Sequence, residues 1–169
     1  MSVQAVSQHL KVLERAGLVF EVWTEPEHLR HWWGPRGFAL VVCEIDLRIG
    51  GHYRIVQRAP RGQDHGFHGE YREIDRPHRL VRTFVYHGAP EHESVETVTF
   101  QSEGGGTLVT GKSVFPSFVA RDLYTRAGME FGMRESHQRL DEWLDAIQHE
   151  SIGDVNEQAG GGNPCHARR

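Results

Sequence analysis

Apolar and polar residues alternate with a period of two through the middle of the chain. Within residues 39–48, for example, Val41, Cys43, Ile45 and Leu47 share one face of the pattern, as in a half-buried strand. Turns that contain Gly or Pro separate the alternating segments, which are residues 39–48, 52–57, 66–74, 79–86, 94–101 and 107–115. The short connections between them predict an antiparallel meander of six strands.

A different period begins near residue 120 and continues to residue 148. Apolar residues recur there every three or four positions, at Leu123, Ala127, Phe131, Leu140, Trp143, Leu144 and Ile147. This spacing predicts one long amphipathic helix. Gly128 and Gly132 lie inside it and cost about 1 kcal/mol each relative to alanine, so we expect the sheet or a ligand to approach closely there. Residues 150–169 are polar, Gly-rich and aperiodic, which predicts a disordered tail.

Two helices are predicted before the first of these strands. The first lies within residues 1–19, where Val3, Val6, Leu10 and Leu13 recur three or four residues apart, with Ser2 as its N-cap and Gly17 as its end. The second is short, with Thr24 as its cap and Pro26 in its first turn. This part of the chain is the most aromatic, with Trp23, Trp32 and Trp33.

These elements predict an α+β protein with one main domain. A curved antiparallel six-stranded sheet wraps around the long C-terminal helix, because each element must bury one apolar face. One helix cannot fill the concave face of the sheet, so we expect a pocket lined by apolar and aromatic groups. Residues 20–149 form the domain in this interpretation, residues 1–19 an additional helix, and residues 150–169 the tail. The predicted ligand-binding residues are Trp33, Phe38, Tyr53, His68, Phe84, Phe100, Met129 and Met133.

Composition and charge narrow the class of protein further. The 169 residues carry a formal net charge of -4, and 38% of them are hydrophobic. These values favour a packed core and give no reason to expect binding to nucleic acid or to an anionic membrane. No apolar run approaches the roughly 18 residues of a membrane span. Cys43 and Cys165 are the two cysteines, which favours a reducing compartment, and we expect the protein in the cytoplasm.

Two pairs of polar residues are candidates for chemistry, and each also has a structural interpretation. His68 and Glu70 share one face of a strand; they form an acid–base pair if that face points inward and a solvated pair if it does not. His28 and His31 lie three apart on a helix, which suits a metal, but the neighbouring tryptophans favour packing. Nucleophile-elbow, paired-cysteine and His-Glu-x-x-His motifs are absent from the sequence. We therefore expect no catalytic group, no metal and no cofactor.

Five blocks follow one another along the chain: VFEVWTEPEHLRHWWGPRGF, CEIDLRIGGHYRI, HGEYREIDRPHRLVRTF, VTFQSEGGGTLVTG and GMEFGMRESHQRLDEWL. Over residues 19–147 they resemble the SRPBCC (START, helix-grip) superfamily, in the branch named for the activator of the heat-shock-protein-90 ATPase. The resemblance implies a helix-grip fold with a deep apolar cavity. It implies no particular reaction, because one fold carries many functions.

Residues 2–19 resemble the recognition helix of ArsR-type winged-helix repressors, in which runs like AVSQHLKVLERAGLV are typical. Those repressors place this helix in the DNA major groove, and the residues on its contacting side here would be Gln4, Ser7, Gln8 and Lys11. The helices that should precede it and the wing that should follow it are absent from the sequence. We interpret the four residues as a solvated helix face and do not expect DNA binding.

The same segment stands where members of the superfamily branch usually have a β-strand. We therefore expect the sheet to lack its first strand. The unpaired N–H and C=O groups of such an edge are a template for another strand, which a second copy of the chain would supply in a homodimer.

Three classes of function fit these expectations. The favoured hypothesis is a non-catalytic module that binds a small hydrophobic molecule in its pocket. A cyclase- or hydrolase-like enzyme for an aromatic substrate is the second, and it requires ionisable groups that converge inside the pocket. The third is an interaction protein, either the ligand-sensing part of a transcription regulator or a co-chaperone-like partner of a chaperone in a stress response. The co-chaperone form predicts a filled cavity and a large exposed apolar patch.

Overall fold

The computed structural model describes residues 4–12 and 15–159, with side chains at Leu10, at Val12 and from residue 15 to residue 149. Its elements are, in chain order, β1 (Gln4–Val12), α1 (Ala16–Thr24), α2 (Pro26–Trp32), β2 (Ala39–Ile45), β3 (His52–Arg58), β4 (Asp64–Asp75), β5 (Arg79–Tyr86), β6 (Ser94–Glu103), β7 (Gly106–Phe115), α3 (Phe118–Arg126) and α4 (Met129–Ala159). The α+β class and the six predicted strands are confirmed, and β1 is an additional strand.

The strands of the described chain form one curved antiparallel sheet in the order β1-β7-β6-β5-β4-β3-β2. β1 pairs with β7 along its whole length, from Gln4 opposite Phe115 to Val12 opposite Thr107. The prediction of a helix in this segment is wrong, and so is the prediction of a missing first strand. The spacing of the apolar residues in this segment is compatible with either structure, and pairing along β7 satisfies an edge that would otherwise expose its backbone groups.

This correction also removes the basis for two expectations. The four candidate DNA-contacting residues, Gln4, Ser7, Gln8 and Lys11, lie on a strand and not on a recognition helix; their side chains lie outside the described ones. The chain pairs the edge of β7 with its own β1, so a second copy is not needed to supply that strand.

The two short helices begin and end at other residues than expected. Gly17 lies in the first turn of α1 and does not end a helix. Thr24 is the last residue of α1, and its hydroxyl donates to the carbonyl oxygen of Phe20 at 2.8 Å. Glu25 is the N-cap of α2, with Pro26 in the first turn as predicted.

The predicted long C-terminal helix is two helices, α3 and α4. Gly128 separates them with a φ of 85°, a left-handed conformation that glycine adopts without steric cost. The hydroxyl of Ser117 caps α3 by accepting from the backbone N–H of Ala120 at 3.1 Å. α4 continues to Ala159, so residues 150–159 are helical and not disordered as predicted. The rest of the predicted tail, residues 160–169, lies outside the described residues.

The concave face of the sheet packs against α1, α2 and α4. Phe20 of α1 meets Phe100 of β6 with the ring centroids 5.4 Å apart, and Leu140 and Leu144 of α4 are fully buried. Burial of these apolar faces fixes α4 across the sheet. None of the described helices is long and apolar enough to cross a membrane.

Candidate functional site

A cavity of about 330 Å³ lies between the concave face of the sheet and the helices. We divide its lining into three parts. The aromatic wall consists of Trp33, Phe38, His65, Phe67 and Tyr86. The floor, on β5, β6 and β7, consists of Arg82, Phe84, Glu96, Val98, Gly111 and Ser113. The roof, at the junction of α3 and α4, consists of Tyr124, Ala127, Gly128, Met129, Phe131, Gly132 and Met133.

In the aromatic wall, rings from the loop after α2 meet rings from β4 and β5. Trp33 lies edge-on to Phe67, with the ring centroids 6.3 Å apart, and Phe67 stacks on Tyr86 at 5.4 Å. The hydroxyl of Tyr86 hydrogen-bonds with Nδ1 of His65 at 3.0 Å, and Phe38 lies beside the His65 ring at 5.9 Å. Ring pairs at these separations make favourable contacts, so this wall is apolar with its polar tips paired.

α4 holds the loop after α2 against the cavity. Arg139 donates to the carbonyl oxygens of Gly34 at 2.9 Å and of His31 at 2.8 Å. The N–H of Gly34 donates to the hydroxyl of Ser136 at 2.9 Å. These bonds satisfy the backbone polar groups of an irregular segment, and they therefore fix the position of Trp33.

The roof is attached to the sheet through Tyr124 of α3. This side chain is 3% exposed. Its hydroxyl accepts from the backbone N–H of Tyr86 and donates to the carbonyl oxygen of His92, both at 3.0 Å. One side chain thus pairs two backbone groups of the β5–β6 connection, directly before the break at Gly128.

The floor contains a buried ion pair between Arg82 and Glu96. The two residues are opposite each other on β5 and β6, and the guanidinium lies 2.9 Å from the carboxylate. The Arg82 guanidinium also lies over the ring of Tyr53 at 4.7 Å and over that of Trp33 at 5.6 Å. Burial acts to lower the pKa of Arg82, but Tyr53 and Glu96 more than offset it, so the pKa is raised and the group stays charged.

Groups without polar partners are concentrated around the cavity. Among the described residues, Nε1 of Trp23 and Oε1 of Gln57 are buried side-chain atoms without a hydrogen-bond partner, and both residues belong to the lining. Burial also lowers the pKa of His137 on α4, which favours the neutral imidazole. Unsatisfied buried groups are uncommon in packed cores, which makes this region the candidate site.

Five of the eight predicted ligand-binding residues line the cavity: Trp33, Phe38, Phe84, Met129 and Met133. Tyr53 and Phe100 are buried outside the lining. The Tyr53 hydroxyl donates to the carbonyl oxygen of Thr83 at 2.8 Å, and Phe100 packs on Phe20 and Trp23. Both residues therefore support the cavity from behind.

His68 and Glu70 lie on the other face of β4 from Phe67. His68 is exposed and hydrogen-bonds with His87 at 2.9 Å, and neither His68 nor Glu70 belongs to the lining. The predicted orientation of His68 is wrong because Phe67 and His68 are successive residues of a strand, so only one of them can face inward. The two residues do not form an acid–base pair in the cavity.

The other candidate groups lie elsewhere. His28 accepts a hydrogen bond from Nε1 of Trp143 at 3.1 Å, and the His31 ring stacks on Trp143 at 3.6 Å. Within the described part of the chain, no three His, Cys, Asp or Glu side chains are grouped as a metal site would require. Cys43 is half-buried, and Cys165 lies outside the described residues.

Sequence reasoning missed the charged floor of the cavity, although the pattern contains a signal for Arg82. Leu80, Arg82 and Phe84 alternate on one face of β5, and both apolar neighbours of Arg82 on that face are buried. A charged residue in register with a buried apolar face requires a partner. The partner, Glu96, is known only once the β5–β6 register is fixed.

The fold and the cavity together define the class of protein. A curved antiparallel sheet grips a C-terminal helix and leaves a largely apolar cavity beneath it, which is the helix-grip arrangement. Within this class, the chain belongs to the family described as activator of Hsp90 ATPase homolog 1-like protein, whose model matches residues 15–145. The predicted family is thereby confirmed. No comparison supports the resemblance of residues 2–19 to a repressor helix.

Solved structures agree with this assignment of the fold. The chain is similar to a protein from Rhodobacter sphaeroides, with a TM-score of 0.78, 24% identity and coverage of 86% of this chain and 99% of that chain. A protein from Nitrosomonas europaea gives a TM-score of 0.75 at 24% identity, covering 86% and 96%. A Silicibacter pomeroyi protein named for the same family gives 0.67 at 18% identity, covering 85% and 99%. A comparison with curated proteins finds no match.

Proposed function

We propose that this chain binds a small apolar molecule in the cavity and does not transform it. The observation that carries the proposal is the cavity itself. Its lining consists mostly of aromatic and aliphatic side chains from both the sheet and the helices. Ligand sites are typically concave and mostly apolar, with a few polar groups that orient the ligand. The floor and the aromatic wall have this composition.

The size of the cavity supports a small ligand. Its 330 Å³ is at the lower end of the usual range of about 300–1,000 Å³ for ligand sites. A water molecule occupies about 30 Å³ of the liquid, so the cavity suits a compact molecule of one or two rings. Met129 and Met133 in the roof have flexible side chains that adapt to different shapes.

The charged groups of the cavity support binding over catalysis. An acid–base mechanism needs a group that is free to exchange a proton with the substrate. Arg82 and Glu96 are paired with each other, and the candidate acid–base pair of His68 and Glu70 is outside the lining. His137 lines the cavity, but no described residue hydrogen-bonds its ring to orient it as a base. The cytoplasm is the location that we propose, as expected for a chain with few cysteines.

The test compares a variant that fills the cavity with one that adds the same side chain elsewhere. Gly111 lies in the floor, and a Cβ there would meet no heavy atom within 4 Å; Gly111→Leu therefore places a side chain in the cavity. Gly17 on α1 is exposed and equally unobstructed, so Gly17→Leu is the matched control. Native mass spectrometry of gently purified protein measures the carried ligand.

We expect an extra mass that is lost on denaturation in the wild type and in Gly17→Leu, and that is absent or much reduced in Gly111→Leu. Such a result locates the ligand in the cavity. An extra mass of equal occupancy in Gly111→Leu would place the ligand elsewhere and contradict the proposal. A wild type without any extra mass would contradict a ligand that is carried in the cell.

A protein partner is the second candidate, and exposed apolar side chains favour it. Phe118, Val119 and Leu123 on α3 and Phe131 in the first turn of α4 are exposed. The family description suggests a chaperone as the partner. Sedimentation of the purified chain with purified bacterial Hsp90 tests this function: a complex that Phe118→Ser with Val119→Ser abolishes supports it, and the absence of a complex contradicts it.

A further inference from the structure

Among the described residues, the carboxylate of Glu96 is bound through one of its two oxygens. Arg82 donates to Oε2 at 2.9 Å, and its Nη2 approaches the same oxygen at 2.9 Å. None of the described residues hydrogen-bonds Oε1. The Glu96 side chain retains 17% exposure and lines the cavity. A carboxylate oxygen is a strong acceptor, so the floor offers one acceptor that the protein does not use.

A residue with a hydroxyl group lies opposite Glu96 on the following strand. Ser113 of β7 is opposite Glu96 in the β6–β7 register. It is 7% exposed and belongs to the lining, and no described residue hydrogen-bonds its side chain. Glu96 and Ser113 thus form a polar corner, a term we use for these two residues, beside Arg82 in a floor that is otherwise apolar.

The charge balance of the floor limits what the polar corner can accept. Arg82 and Glu96 neutralise each other. Lys112 also belongs to the lining, but it is exposed and lies on the opposite face of β7 from Ser113, so the floor has no net charge to compensate a charged ligand. A charged ligand would lose its hydration without a free counter-ion, which is costly in an apolar cavity. An anion would in addition meet the unused oxygen of Glu96, and two acceptors repel. A neutral hydroxyl or N–H group has neither difficulty, because it donates to Oε1.

We propose that the cavity selects an uncharged molecule whose apolar body carries a hydroxyl or N–H donor directed at Oε1 of Glu96, with Ser113 as a second polar contact. The proposal rests on the proposed function and names the class of ligand for the same cavity. The apolar body of the ligand lies against Trp33 and Phe84, which flank the ion pair: Trp33 covers Arg82, and Phe84 follows it on the inward face of β5.

The experiment compares three probes with the same two-ring body. 2-Naphthol has a donor and is uncharged at neutral pH, 2-methoxynaphthalene has no donor, and 2-naphthoate is an anion. Equilibrium dialysis at pH 7 measures the dissociation constant of each probe with the full chain. A hydrogen bond to a charged group predicts that 2-naphthol binds about ten- to a hundredfold more tightly than 2-methoxynaphthalene. 2-Naphthoate should bind most weakly of the three.

A double variant removes the carboxylate of the polar corner without leaving a buried charge. Arg82→Met with Glu96→Leu replaces the ion pair by apolar side chains of similar size, an exchange that buried ion pairs often tolerate. We expect it to bind 2-methoxynaphthalene at least as tightly as the wild type does and to lose the preference for 2-naphthol. The matched control is Arg72→Met with Glu93→Leu, which removes an exposed ion pair of 3.3 Å outside the lining and should change no dissociation constant.

The outcomes separate this inference from the proposed function. Equal binding of 2-naphthol and 2-methoxynaphthalene by the wild type overturns the donor requirement and leaves apolar binding intact. Tightest binding of 2-naphthoate overturns it as well. Binding of none of the three probes contradicts the proposed function itself. If the double variant does not fold, the order of the three dissociation constants measured with the wild type still tests the donor requirement.

Discussion

The floor of the cavity is positioned by backbone register, whereas its roof is positioned by single side chains. Arg82, Glu96 and Ser113 are neighbours on β5, β6 and β7 because the strands pair in one register. The roof spans the junction of α3 and α4 at Gly128, and the hydroxyl of Tyr124 joins α3 to the β5–β6 connection. Register is difficult to change, because a shift of one residue turns every side chain to the other face.

The difference assigns distinct tasks to the two sides of the cavity. The floor holds the charged and hydrogen-bonding groups, so it determines which polar groups a ligand must have. The roof contributes Met129, Met133 and glycines, which adapt to the shape of a ligand and leave room for it. We therefore expect changes in the floor to alter selectivity and global stability, and changes in the roof to alter local opening.

The largest effect is expected from breaking the ion pair of the floor on one side. Glu96→Leu leaves the guanidinium of Arg82, which is 6% exposed, without its charged partner. Such a loss typically costs about 3–5 kcal/mol of the free energy of unfolding. Urea denaturation measures it. The double variant with Arg82→Met should recover most of this loss, and a double variant as unstable as the single one would show that the charge is not the cause.

A smaller effect is expected from releasing the roof. Tyr124→Phe removes the hydroxyl that pairs the N–H of Tyr86 and the carbonyl oxygen of His92, and leaving buried polar groups unpaired costs about 1–3 kcal/mol. Hydrogen exchange should become faster in α3 than in β6 and β7. Tyr86→Phe is the control, since His65 is the partner of its hydroxyl within the described part of the chain. Uniformly faster exchange throughout the sheet would argue against a local role.

The two glycines of the roof should respond in opposite directions to the same substitution. Gly128→Ala forces a side chain into a φ of 85°, which costs about 1–2 kcal/mol. Gly132 has helical neighbours, and a Cβ there would meet only Cγ of Pro35, at 3.8 Å. Gly132→Ala should therefore be neutral or should stabilise the protein by up to about 1 kcal/mol. Thermal unfolding compares the variants, and equal destabilisation by both would refute the assignment of the break between α3 and α4 to the left-handed conformation of Gly128.

Local sequence patterns predicted those parts of the fold that depend on local physics. Alternation at the start of β3 and the helical spacing of Met129 and Met133 indicated the strands and the roof. β1 was missed because the spacing of Val6 and Leu10 is compatible with a helix, and only the distant edge of β7 makes it a strand. The break in the C-terminal helix was missed because a glycine at position 128 is compatible with a continuous helix as well as with the end of one helix and the start of another.

The site was less predictable than the fold for the same reason. Composition and period indicated an apolar pocket but did not decide which face of β4 turns inward, so His68 was placed in it and His65 was not. The pairing of Arg82 with Glu96 brings together residues on two strands, and its register is set by the whole sheet. The polar corner therefore becomes visible only in the folded chain.

The smallest effect concerns pH and involves His137 of α4, whose ring lies 6.1 Å from that of Trp23. Burial lowers the pKa of His137 in the folded chain below its unfolded value of about 6.5. The unfolded chain then takes up the proton first, so stability falls as pH decreases from about 7 through this range, by less than about 1.4 kcal/mol per pH unit for one group. His137→Gln should flatten the pH dependence of the urea midpoint between pH 7.5 and 5.5. The control His87→Gln removes another histidine of lowered pKa, which lies outside the cavity.

Saturating 2-methoxynaphthalene should steepen the pH dependence in the wild type and in His87→Gln, because a ligand in the cavity further excludes water from His137. If the ligand steepens the pH dependence equally in His137→Gln, protonation of His137 does not oppose binding.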